Sequence, residues 1–265
     1  REREVCLVGP AGSGKSRGWL ERLHRDALDH PKSRQLIVRQ TRTSLTSSAM
    51  VTLQDEVFPE GTFGDAESDR PIRFHSGEQT YQYPNGAVIG VVGLDNPGKV
   101  FSSQWDRIYC QEVNELAERP YSTLVRALRN NVMPWQQLVS DMNPQIEMHW
   151  MHQRCDAGRC REFVATHADN PSNTAEYLGG LESSLKGAEY ESLFLGQRVT
   201  EMEGSYYGAE LRALRRAGRV RDVPHDPMTQ VFTCWDLGID DYMAIWWVQR
   251  VGTEWHWLWY HEENG

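Results

Sequence analysis

Gly9-Pro10-Ala11-Gly12-Ser13-Gly14-Lys15-Ser16 reads G-x-x-x-x-G-K-S, a spacing built to hold phosphate. The apolar run Val5-Cys6-Leu7-Val8 leads into it, and Arg17 to Leu23 can open a helix. Strand, glycine loop and helix together make a phosphate cradle, with backbone N–H groups converging on the anion. The helix N-terminus adds partial positive charge. In that reading Lys15 reaches the β- and γ-phosphates as a point charge, and the Ser16 hydroxyl binds Mg²⁺ beside ATP. The plainer alternative is a glycine-rich turn that binds nothing.

Hydrolysis needs an acid partner, expected at the end of an apolar strand beside the loop strand. Arg107-Ile108-Tyr109-Cys110-Gln111-Glu112 fits. Gln111 stands where an Asp is expected in many ATPases, and Gln carries no charge. Glu112 is the expected water-activating base, with Glu115 as the alternative. After the next strand, Ser140-Asp141-Met142-Asn143-Pro144 places Asp141 and Asn143 where a polar group can sense the γ-phosphate and couple its loss to movement. Candidate charge-stabilising arginines are Arg39 and Arg42 after the second strand, and Arg126 and Arg129 on a helix after Glu112.

The elements that must position these residues alternate in type. Strands are expected at 35–39, 107–110 and 137–140, and helices at 44–58 and 115–130, with a loop at 59–71. A hairpin is expected from 79 to 92, turning at Pro84-Asn85-Gly86. The alternation implies an α/β fold with a largely parallel sheet flanked by helices. Gly204 to Gly208 and Val223 to Pro227 flank a basic helical piece bearing Arg212, Arg215, Arg216, Arg219 and Arg221. Strands follow at 231–235, 242–248 and 255–260. The expected division is 1–204, a linker 205–228, and the start of a β-rich domain at 229–265. The abrupt charged start, Arg1-Glu2-Arg3-Glu4, carries no leader signal and suggests a preceding segment.

The 265 residues are 39% hydrophobic and 25% charged, as in a soluble globular protein with an ample core. No apolar run reaches the length of a membrane span. The net charge of −9 excludes a protein that simply coats nucleic acid, so DNA contact must use a local patch. Cys6, Cys110, Cys155, Cys160 and Cys234 are expected to be reduced. Three of them (Cys6, Cys110, Cys234) lie in strand-like runs, where a buried thiol is the default. His149, His152, Cys155, Cys160 and His167 could bind zinc, but their spacing matches common structural sites poorly.

The order of these motifs resembles the large terminase subunit of tailed bacteriophages, the motor that packages DNA. The P-loop Gly9 to Ser16, the segment Ile37 to Arg42 with Ser44-Leu45, and Tyr83 to Ile89 followed by Gly93-Leu94-Asp95-Asn96-Pro97-Gly98-Lys99 resemble its pieces. So do Gln111-Glu112-Val113-Asn114-Glu115-Leu116, Leu124 to Arg129, Asp141-Met142-Asn143-Pro144, and Thr166 to Pro171 with Gly196. The resemblance implies a P-loop NTPase domain of the RecA-like (ASCE) kind, followed by the first strands of an RNase H-like nuclease domain. It implies ATP and Mg²⁺ as cofactors, with Mg²⁺ or Mn²⁺ in the nuclease. It also implies double-stranded DNA, a portal protein, the small terminase subunit and a homo-oligomeric ring as partners, and no membrane. The implied location is the host cytoplasm, at the portal vertex of the procapsid.

Cys234-Trp235-Asp236-Leu237-Gly238 resembles the first nuclease strand, with Asp236 as a metal-binding carboxylate. Glu262 or Glu263 is a candidate second acid, whereas Asp240 and Asp241 read as turn residues. This stretch alone is not expected to cut DNA. Competing readings are a helicase- or recombinase-like DNA-dependent ATPase, a small-molecule kinase and an ATP-gated assembly factor. The guanine-reading N-K-x-D tetrapeptide is absent.

Overall fold

The computed structural model describes residues 2–95, 100, 103–199, 207–237 and 242–264. Asn96 to Lys99, Gly204 to Tyr206, Gly238, Asp240 and Asp241 therefore lie outside the described residues. The chain divides into two compact units, Arg1–Ser205 and Tyr206–Gly265.

The first unit is built on a nine-stranded sheet. Its strands are β1 (Glu4–Val8), β2 (Arg34–Arg39), β3 (Phe63–Asp65), β4 (Ile72–His75), β5 (Thr80–Gln82), β6 (Val88–Gly93), β7 (Arg107–Cys110), β8 (Gln137–Met142) and β9 (Arg161–Val164). They lie in the order β3-β4-β5-β6-β2-β7-β8-β1-β9. From β6 to β9 every neighbouring pair is parallel, so these strand ends share one edge. Ligands of open α/β sheets bind at that carboxyl edge. The expected neighbour relation needs correction: β7 does not lie beside β1, because β8 runs between them.

Alternation along the strands sorts the core into two layers. Ile37, Tyr109 and Val139 face one side and pack with Leu20, Leu23 and Ala27 of α1 (Lys15–Asp29). Leu36, Val38, Ile108, Cys110, Leu138 and Met142 face the other, against Tyr121 and Leu124 of a second long helix.

The expected helix at 44–58 is broken into α2 (Arg42–Thr46), α3 (Ala49–Thr52) and a π-turn, Leu53–Val57. The Ser48 hydroxyl bonds the Ser44 carbonyl at 2.6 Å, and Ser47 also bonds back, so side chains compete with the helical ladder. The expected loop at 59–71 contains β3, held by Phe63 packing on Phe58 and Tyr81. The hairpin forms as β5 and β6, with Gly86 at φ 79 in its turn. The helix expected at 115–130 is shorter, α4 (Glu118–Ala127), followed later by α5 (Trp150–Asp156) and α6 (Ala175–Ser184).

A buried ion pair fixes α1 against β7. Arg107 Nε lies 2.8 Å from Asp26 Oδ2, both side chains almost fully buried, and Arg22 reaches the other oxygen at 3.2 Å. The Arg107–Asp26 approach is a charge contact and not a well-aligned hydrogen bond. Burial lowers the Arg107 pKa to about 10 and raises that of Asp26, each opposed by the partner's charge. Asp26→Ala leaves the Arg107 charge stranded, with an expected loss of roughly 3 kcal/mol in urea unfolding.

In the second unit, α7 (Gly208–Arg216) precedes an antiparallel sheet of β10 (Val231–Asp236), β11 (Tyr242–Val251) and β12 (Glu254–Asn264). Trp235, Trp246, Trp247, Trp255, Trp257 and Trp259 are all strand residues. Of the five free cysteines, Cys6, Cys110 and Cys160 are buried, but Cys234 is exposed, which corrects the expectation for its strand. Among the described residues no helix is long and apolar enough to cross a membrane.

Candidate active site

The loop between β1 and α1 bends through Gly12 and Gly14, at φ 77 and 83, a left-handed backbone that glycine adopts freely. Gly9 packs so closely on the Ala165 carbonyl that a side chain there would collide. Lys15 folds into the loop, its Nζ donating to the Gly9 carbonyl at 2.7 Å, the Pro10 carbonyl at 2.8 Å and Asn143 Oδ1 at 3.3 Å. Burial lowers its pKa, while Asp141 and Glu112 oppose that by favouring the charge. Phosphate oxygens would take over these lysine protons from the loop carbonyls.

Asp141, near the end of β8, is fully buried on the α1 side of the sheet. Its Oδ2 accepts from the Ser16 hydroxyl at 2.5 Å and the Tyr109 hydroxyl at 2.8 Å. Its Oδ1 accepts from the Glu112 backbone N–H at 2.9 Å. That bond anchors Glu112 in the left-handed region, at φ 49 and ψ 57, just before a 3₁₀ turn over Val113–Glu115. A strained backbone held by its surroundings is common at reacting sites.

Burial, then the charge of Asp141, push the Glu112 pKa up to about 7, against the pull of Lys15 and Arg39. A base serves best when its pKa lies near the working pH. Because kcat/KM reports groups of the free enzyme, it is expected to rise with pH through about 7. Below that, Glu112 is protonated and the rate falls about tenfold per pH unit. A pH–rate profile checks this, and Glu112→Gln removes the acidic limb.

The other expected residues separate. Glu115 is engaged: Arg39 grips it through Nε at 2.9 Å and Nη2 at 2.5 Å. Arg39 also donates to Ser48 at 3.2 Å, and the Glu115 bonds raise its pKa. Arg42 is held by Gln79 and Thr46. Arg126 and Arg129 are not brought to the loop. Helix α4 runs away from Glu112, and Leu128 pairs with Trp105 before the start of β7, at the opposite edge of the sheet. Both arginines are exposed there.

Sequence reasoning missed Tyr109 and the loop's late-chain supports. Asn170 and Asn173 donate to the Gly12 carbonyl at 2.7 and 3.2 Å. The Tyr177 hydroxyl lies 2.6 Å from where a Gly12 side chain would begin. The signal was partly there: Asn170 belongs to the segment 166–171 already singled out.

Two members of the histidine–cysteine group are otherwise employed. His149 caps α5 through Met151 N–H, and His152 joins Glu162 at 3.2 Å and the Gln145 N–H at 3.2 Å. Among the described residues no three His, Cys, Asp or Glu side chains converge on a metal position. In the second unit Asp236 ends β10 opposite Ala244, which in turn pairs with Glu262. Asp236 and Glu262 are therefore aligned across the sheet. Arg219 pairs with Glu254 at 3.2 Å.

A sequence model described as phage terminase large subunit matches residues 1–176, about two thirds of the chain and all of the loop, Glu112 and Asp141. The chain belongs to the phage terminase large subunit family. No curated protein sequence matches it. Among solved structures, the large terminase of a thermophilic bacteriophage aligns over 100% of this chain and 64% of its own, at 14% identity and TM-score 0.64. The HK97 bacteriophage large terminase aligns over 96% of this chain and 58% of its own, at 9% identity and TM-score 0.54. The ATPase domain of the Thermus phage P74-26 large terminase aligns over 75% of this chain and 88% of its own, at 13% identity and TM-score 0.53. These likenesses establish a terminase ATPase fold. The chain thus spans less than two thirds of the length of the thermophilic bacteriophage and HK97 large terminase structures.

Proposed function

We propose that the chain hydrolyses ATP to drive double-stranded DNA into a procapsid. One observation carries the reading: Ser16, Tyr109 and the Glu112 backbone all meet on the Asp141 carboxylate, so phosphate grip and base are held as one unit. The thermophilic bacteriophage's terminase has been solved with ADP and with ATP-gamma-S, which supports a nucleotide in the equivalent loop here.

The loop N–H groups and Lys15 bind the phosphates and position the γ-phosphoryl group. Glu112 orients a water molecule in line with that group and takes its proton. The oxygen donors around Ser16 suit Mg²⁺, a hard cation. Mg²⁺ held near Ser16 and Asp141 would neutralise charge on the phosphates. Arg39, fixed by Glu115, completes the wall around Glu112. Arg126 and Arg129, exposed and remote from their own loop, act on a neighbouring subunit in a ring. Asn143, bonded to Lys15, and Asp141, bonded to Ser16 and Glu112, relay phosphate loss to β8 and the chain beyond it.

The division 1–204, 205–228 and 229–265 assigns the last strands to an RNase H-like nuclease, with Asp236 as its first metal carboxylate. The reading places the motor in the host cytoplasm, on the portal and with the small subunit as partner. Steady-state hydrolysis measured with and without linear double-stranded DNA tests the central claim. DNA is expected to raise turnover severalfold. Turnover indifferent to DNA, or phosphate transferred to a small acceptor instead of water, would overturn it.

A further inference from the structure

The position before Glu112, where a second acid is expected, holds Gln111, and its side chain is turned elsewhere. Gln111 Oε1 accepts from the Ser48 hydroxyl at 3.0 Å, and Ser48 also receives Arg39. Gln111 therefore ties the end of β7 to the segment after β2. The carboxylate that meets Ser16 comes from a different strand. Asp141 lies on β8, between β7 and β1, and its Oδ2 accepts the Ser16 hydroxyl at 2.5 Å.

We propose that the metal-holding carboxylate of this site has moved strands: Asp141 on β8, and not position 111 on β7, anchors the water shell of the Mg²⁺ that accompanies ATP. This deepens the ATPase reading and rests on it. Two observations support it independently of the sequence motif. Asp141 is fully buried, yet among the described residues no Lys or Arg lies within ion-pair distance of it, and Lys15 acts on it only from farther off. Among the described residues its hydrogen bonds come from two hydroxyls and a backbone N–H, all neutral donors. Buried charges are normally paired or placed beside a metal. Second, the Tyr109 hydroxyl and the Glu112 N–H fix both oxygens, so the carboxylate is oriented on Ser16 before any cation arrives. Outer-shell partners of this kind tune metal affinity by about 10- to 100-fold.

The exchange makes a reciprocal prediction. With ADP present, Mn²⁺ binding followed by electron paramagnetic resonance should weaken at least tenfold in Asp141→Asn. Any loss of metal-free ADP affinity should be far smaller than the loss of Mn²⁺ affinity. Adding Gln111→Asp to Asp141→Asn should recover most of the lost Mn²⁺ affinity, because position 111 lies at the end of the neighbouring strand. Unchanged Mn²⁺ affinity in Asp141→Asn overturns the proposal. So does an equal loss of metal-free ADP binding, which would mark a purely structural role, or a double variant that recovers nothing. A wild-type chain that binds neither ADP nor Mn²⁺–ADP sinks the ATPase reading itself, a result distinct from all of these.

Discussion

Glu112→Gln is expected to bind ATP with near wild-type affinity and to lose at least 100-fold in DNA-stimulated turnover. The side chain keeps its size and can still accept a hydrogen bond from water, but it cannot take the proton. General-base contributions commonly amount to about 10²–10⁴ in rate. Binding survives because the phosphates are held by the loop and Lys15, and neither depends on the Glu112 carboxylate. Removing the carboxylate also relieves the repulsion with Asp141 that helps raise the Glu112 pKa, so the fold should be slightly more stable above pH 7. The sign follows from the raised pKa. The folded state holds the Glu112 proton more tightly than the unfolded chain, so its stability contribution is complete below about 4.5 and lost as pH rises through about 7. Single-turnover hydrolysis alongside equilibrium nucleotide binding separates the two effects. A variant that keeps more than half of wild-type turnover would show that another group activates the water.

Lys15→Ala has an equally large expected effect, but of another kind. Lys15 is the buried cation of the loop, and its Nζ bridges Gly9, Pro10 and Asn143. Without it the triphosphate loses its main charge partner, and Asp141 and Glu112 lose the positive charge that sits among them. Both the affinity for ATP and the turnover should collapse, the former by at least about 100-fold at a few kcal/mol for one charge-assisted contact in a low-dielectric site. Calorimetric titration with ATP reads this directly. Loss of turnover with intact affinity would instead place Lys15 in the transition state alone.

The octet and Glu112 were legible in the sequence because local spacing alone defines them: a glycine loop between strand and helix, and an acid after an apolar strand. The partner of Ser16 was not, because it depends on strand order. Nothing in Gln137 to Met142 says that β8 inserts between β1 and β7. The same blindness affected Arg126 and Arg129, which sit at helical spacing on one element, while the direction of α4 carries them to the far edge of the sheet. Gln111 could be flagged as a missing acid, but only the Ser48 bond shows where its amide goes. The break in 44–58 lay in Ser47 and Ser48, whose hydroxyls rival the helix for backbone carbonyls. Cys234 is exposed despite its apolar neighbours, as are the residues on either side of it along β10.

The support of Gly12 by Asn170 and Asn173 has a consequence for biogenesis. The bonds close over separations of 158 and 161 residues, and β1 is flanked by β8 and β9, both made long after it. Contacts so distant in sequence form late and slowly. As the ribosome delivers the chain, β1 and its glycine turn emerge before β8, β9 and the asparagines, and stay unfinished until those arrive. They become a nucleotide pocket only when the asparagines of the late segment arrive. A nascent chain is therefore expected to gain nucleotide affinity only after residues beyond Asn173 have emerged.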